Sequence, residues 1–184
     1  MMDRLAAGRN RPVRPPTSLA GIMNHALQPL REEHTTLLTH IEDIRAMADV
    51  AAEISPPLLR QGLDDACRFL RGQLVPHMRA EERGLYPRVG RLLGASGATD
   101  PMRMDHGAVQ RYAEDLGVLK DRALMGPLRK EELKTLRRIL YGLHALVTLH
   151  FTKEDALYFS LLEERLSPAE VTDMFRDMDI PNGG

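Results

Sequence analysis

Residues 134–161 read KTLRRILYGLHALVTLHFTKEDALYFSL. Leu136, Leu140, Leu143, Val147, His150, Glu154, Leu157 and Leu161 follow one another at spacings that alternate four and three. That is the seam of a helix packed inside a bundle. All are aliphatic except His150 and Glu154, which stand one helical turn apart. Residues i and i+4 lie roughly 40° apart around a helix, so both side chains turn inward with the leucines. An uncompensated carboxylate is costly to bury, so a cation is expected beside Glu154.

Working outward, prolines mark the starts of the other periodic segments. Pro29, Pro56, Pro101, Pro127 and Pro168 each stand where a first helical turn begins, the position at which a missing N–H removes nothing. Ser55, Asp100 and Ser167 are expected as N-caps. The pattern predicts helices over 29–53, 57–86, 101–123 and 128–164, with a short lead-in helix over 18–27 and a closing one over 168–178. Their seams are Leu27, Leu30, His34, Leu37, Ile41, Ile44 and Ala48; Leu63, Cys67, Leu70, Leu74, His77 and Glu81; and Met102, His106, Val109, Ala113 and Leu116. Short connections such as 94–99, GASGAT, imply antiparallel neighbours. The expected fold is all-α: an up-down-up-down four-helix bundle with short extra helices at the termini. Residues 1–16, with four Arg and three Pro, read as a mobile basic arm, and 17–184 as one domain.

Composition narrows the function. The 184 residues are 43 % hydrophobic but only 4 % aromatic, with no Trp, which favours helices over strands. A formal net charge of −1 gives no basis for a nucleic-acid or membrane partner. No long apolar run reads as a membrane span, and the basic N-terminus lacks the apolar segment of a secretory signal. A single cysteine, Cys67, excludes an intrachain disulfide and fits a reducing compartment, so a cytoplasmic location is expected.

Each long helix carries one His on its seam: His34, His77, His106 and His150. Two of them are followed four residues later by Glu, in HMRAE at 77–81 and HFTKE at 150–154. In alternating helices the first three histidines fall within about two turns of a common level, and the longer fourth helix reaches it by overhanging. Burying Glu81 and Glu154 as anions without cations is very unfavourable; a pair of metal ions resolves it. Imidazole with carboxylate suits iron, manganese or zinc. Six protein ligands for two metals leave positions for a bridging oxo or hydroxo group and a small exogenous ligand.

The order His, His-x-x-x-Glu, His, His-x-x-x-Glu resembles the haemerythrin-like, or HHE cation-binding, family. Its local contexts are REEHTTLLTHI at 31–41, HMRAEERGLYPRV at 77–89, MDHGAVQ at 104–110 and HFTKEDALYFSLL at 150–162. The resemblance implies a non-haem di-iron centre. His34, His77, His106 and His150 would each bind one of two iron ions, oxo- or hydroxo-bridged, and Glu81 and Glu154 would bridge them. It further implies a protein that binds or reduces dioxygen, peroxide or nitric oxide, with an electron donor the sequence does not identify. Oxygen carriers of the family have a second His where this chain has Gln110, and an Asp five residues after the last His, where Asp155 stands here. Glu154 lies better on the seam than Asp155. The missing His favours reactive chemistry over reversible oxygen carriage. Alternatives are a non-catalytic iron or oxygen sensing or storage module, and a role in nitric-oxide-stress repair of iron–sulfur centres.

Around these six, Tyr158 follows Glu154 by four and is a candidate to orient it or to bind metal, while Tyr86 and Tyr112 are weaker candidates. His40 and His144 flank their seams and read as surface groups that could also join the site; His25 reads as exposed. Glu32, Glu33 and Asp105 read as surface charge near the histidines, and Glu82 as exposed. Pro76 is expected to kink its helix beside His77. Cys67 and the methionines read as core filler.

Overall fold

A computed structural model of the chain describes residues 26–95 and 97–179. The expected arm over 1–16, most of the lead-in helix, and His25 lie outside the described residues. Among those residues the chain is all-helical. Helix α1 spans Gln28–Val50. Helix α2, Pro56–Phe69, runs through a π-helical turn at Leu70–Leu74 into α3, Val75–Leu93. Helix α4 spans Asp100–Leu124. Helix α5, Lys130–Lys153, runs through a second π turn at Glu154–Phe159 into α6, Ser160–Arg165. Helix α7, Pro168–Met178, closes the described chain. α1 packs on α5 and α2, α4 on α5, α2 and α3, and α7 lies on α3.

The seams of α1, of α2–α3 and of α4 are buried along their whole expected length. The fourth seam is buried only as far as Glu154. Leu157 is 61 % exposed and Leu161 half-buried, while Tyr158 and Leu162 are buried instead. The cause is the second π turn, whose extra residue moves the inward register on by one. The first π turn ends just ahead of Pro76, and Val75 N–H reaches back five residues to Leu70 O. A wide turn, where a proline kink was expected, thus precedes His77. Helix α3 continues past the expected end near 86, carries Pro87 inside it, and stops at Gly94, whose φ of 63° provides the left-handed cap. Ser167 caps α7 reciprocally with Glu170. Ser55 holds the cap position of α2 without a side-chain bond, and at α4 the cap residue is Thr99, with Asp100 already helical.

Two apolar clusters fill the interior. One contains Leu37, Leu74, Val109, Val147 and Phe151; the other contains Leu30, Leu85, Met102, Phe159 and Met174. The histidines and glutamates of the four seams fall between them. α7 covers the second cluster. Gly84 permits this: a Cβ there would collide with Met178 Cγ and lie 2.8 Å from the Met174 carbonyl oxygen. Buried Arg88 fastens the contact, donating to Gly84 O at 2.7 Å and to Asp177 Oδ2 at 2.8 Å.

Candidate metal centre

The four long segments bring His34, His77, Glu81, His106, His150 and Glu154 into one buried layer, none more than 5 % exposed. Glu81 lies at its middle. Its Oε1 is 3.0 Å from His77 Nε2 and 3.4 Å from His34 Nε2, and its Oε2 is 3.4 Å from His106 Nε2. Glu154 Oε2 is 3.5 Å from His150 Nε2 and 3.6 Å from His34 Nε2. His106 Nε2 and His150 Nε2 face each other at 2.9 Å. Two groups could each hold a metal ion: His34, His77 and Glu81, and Glu81, His106, His150 and Glu154. Glu81 belongs to both.

These residues fit a cation. Glu81 Oε2 and Glu154 Oε2 are buried without a hydrogen-bond partner. Buried lone pairs left unpaired cost on the order of 1–3 kcal/mol each, and metal ligation satisfies them. Without metal, protons take the balancing role. Burial opposes the charged form of His77, but the Glu81 carboxylate, and Glu33 behind it, outweigh burial and raise its pKa to about 10. Burial likewise works against an ionised Glu81, yet His77, His106 and His34 hold it well below 4.5. Burial and the nearby Glu81 charge push Glu154 well above 4.5. Burial lowers His150 to about 4.

Tyr86, a weaker candidate from sequence, is the tyrosine of this site. Its hydroxyl donates to Glu154 Oε1 at 2.8 Å and lies 2.9 Å from His106 Nε2. Burial, with Glu81 and Glu154 close by, raises its pKa far above the usual phenol value. Tyr158, the stronger candidate, instead donates to Ala98 O at 3.0 Å and meets Tyr86 only edge-on. The π turn explains the exchange, since the four-residue spacing that aligned Tyr158 with Glu154 assumed a regular helix. Tyr112 packs against Gly142, and Gln110 is exposed. His40 lies beside Phe69, and His144 pairs with Glu42 at 2.8 Å; neither is part of the layer.

Glu33 and Asp105, read as surface charge, Glu82, read as exposed, and Asp155, weighed against Glu154, each have a definite place. The outer nitrogen, Nδ1, of each histidine meets one of them: Glu33 Oε1 at His77, 3.1 Å; Glu82 Oε1 at His106, 2.7 Å; Asp105 Oδ2 at His150, 3.3 Å; Asp155 Oδ1 at His34, 3.1 Å. Each is the sequence neighbour of an inward residue on its own helix, but serves the histidine of another. α1 supplies the partner for α3, α3 for α4, α4 for α5, and the segment after α5 for α1, which closes a ring. Adjacency to a seam residue was the available signal; the cross-helix pairing was not visible in sequence. Glu32 bonds Gln28 at the surface, as expected.

An all-helical bundle with buried histidines and carboxylates gathered in its core defines a class of helical metal-binding domain. A family model described as hemerythrin HHE cation binding domain matches residues 25–128, more than half of the chain. The chain belongs to the hemerythrin HHE cation-binding family. No curated protein and no solved structure matches it. The matched span holds His34, His77, Glu81 and His106 and stops before α5, so it does not include His150 and Glu154. No helix among the described residues is long and apolar enough to cross a membrane.

Proposed function

We propose that this chain is a di-iron protein that binds or reduces a small oxidant: dioxygen, peroxide or nitric oxide. In this reading α1, α2–α3, α4 and α5–α6 form an up-down-up-down bundle, and the protein works in the cytoplasm. One observation carries the reading: Glu81, fully buried, is shared by two groups of potential ligands. His34 and His77 would hold one ion and His106 and His150 the other, with Glu81 and Glu154 between them. Iron, once bound, supplies redox capacity and Lewis acidity.

The chain's own residues shape the surroundings. Phe151 stacks flat on His34 with 4.0 Å between ring centroids, and Phe159 lies 5.2 Å from the same ring. These faces exclude water on the α1 side and strengthen the electrostatics within the layer. Tyr86 holds a proton at its hydroxyl and directs it at Glu154 Oε1. That fixes the orientation of Glu154 and supplies a hydrogen-bond donor at the layer's edge.

Metal analysis after iron-supplemented expression, paired with absorption spectra before and after peroxide, tests the reading. Two irons per chain and consumption of peroxide or nitric oxide are expected. Reversible spectral change with negligible turnover points instead to a sensing or storage module. Less than about one metal per chain sinks the metal reading, because metal binding and folding should be coupled.

A further inference from the structure

The ring of carboxylates is not uniform. A histidine that donates Nδ1–H to a carboxylate keeps its Nε2 lone pair inward, and its ring becomes a stronger ligand. Among the described residues, Glu33 and Asp155 have no Lys or Arg partner. Glu82 has one, but divides its oxygens: Oε1 meets His106 Nδ1, while Oε2 lies 3.5 Å from Arg103. Asp105 differs. The same oxygen, Oδ2, that faces His150 Nδ1 also accepts from Lys153 Nζ. The His150 contact is the longest of the four, 3.3 Å against 2.7 Å at His106. An ammonium on the shared oxygen withdraws electron density from the hydrogen bond that would make His150 more basic.

We propose that Asp105 and Lys153 set how firmly the centre holds a metal through His150. Asp105 is the positioning residue that strengthens this ligand, and Lys153 restrains that effect by occupying the same oxygen. The proposal rests on the reading of the six buried residues as metal ligands. It makes the two halves of the centre unequal in a way that depends on a partly exposed lysine, reachable from outside the core.

Anaerobic titration of ferrous iron against a competing colorimetric chelator tests it on the full chain, with circular dichroism confirming the fold of each variant. Asp105→Asn keeps the size and an acceptor oxygen but removes the charge; it should weaken one of two binding steps by about tenfold. Lys153→Gln should tighten the same step several-fold. Opposite signs separate tuning from the loss of a structural ion pair, which would weaken binding in both variants. In the double variant the gain from Lys153→Gln should vanish, because Lys153 acts through Asp105. A gain of equal size in the Asp105→Asn background overturns the proposal, showing that Lys153 acts on the metal's charge through space. Unchanged steps in both single variants overturn it too, while leaving the metal reading intact. A wild-type chain that takes up no metal overturns both.

Discussion

Tyr86 shows how much a single side chain carries in this layer. It is 1 % exposed, and its hydroxyl meets both Glu154 and His106. Glu154 Oε2 has no partner, so the Tyr86 bond is the one that steadies this carboxylate. Tyr86→Phe leaves Glu154 Oε1 without its donor. The metal-free protein should lose about 1–3 kcal/mol, the cost of an unsatisfied buried acceptor. Denaturant unfolding checks this, and an unchanged midpoint would show that Glu154 finds another donor. The loss should shrink in the metal-loaded protein, where the cation compensates Glu154 directly. In sequence Tyr86 was only one of three tyrosines near the motifs; neither its depth nor its direction follows from spacing along a single helix.

At the scale of the element, the two π turns flank the two His-x-x-x-Glu segments. The second begins at Glu154 itself and lets consecutive acidic residues serve different ends, Glu154 turned into the layer and Asp155 beside His34. Helix α7 depends on Gly84. Gly84→Ala forces Met178 and the backbone at Met174 to move, and overpacking of this kind costs about 1–3 kcal/mol. Thermal unfolding should show the loss, and limited proteolysis should show cleavage nearer to α7 than in wild type. The start of α5 is held by Glu132, which accepts from Arg129 N at 2.6 Å, Arg129 Nη2 at 2.8 Å and Arg122 Nε at 3.0 Å. The Arg129 side chain and then its backbone N–H bring the Glu132 pKa down from 4.5 to about 2. A lowered folded-state pKa stabilises above the unfolded value. The contribution is therefore complete above pH 4.5 and fades as pH falls towards 2. Glu132→Gln should lower the melting temperature at neutral pH and flatten its decline across that window; parallel curves for the two proteins would disprove the role.

For the whole molecule, the polar layer between two apolar clusters makes metal binding a proton exchange. At pH 7 the metal-free centre keeps a proton on His77, whose pKa is raised to about 10, while burial and the Glu81 charge shift Glu154 towards its protonated form. A metal bound through His77 would displace its proton, so uptake should acidify a weakly buffered solution, and affinity should rise with pH. A pH-stat titration with ferrous iron measures the protons directly. Binding without proton release would mean that His77 is not a ligand.

The sequence by itself determined the four long helical segments, the closing helix, three of the four buried seams and the six inward polar residues, because helical periodicity and the cost of burying charge are local properties. Its limits appear where one helix depends on another or departs from 3.6 residues per turn. Leu157 and Leu161 left the seam because a π turn added a residue. Glu33, Glu82 and Asp105 looked like surface charge, and Asp155 like an alternative to Glu154, because their partners stand on other helices. Only the tertiary structure decided which tyrosine faces the layer and which carboxylate serves which histidine. Those facts depend on distances between segments, and spacing along the chain does not encode them.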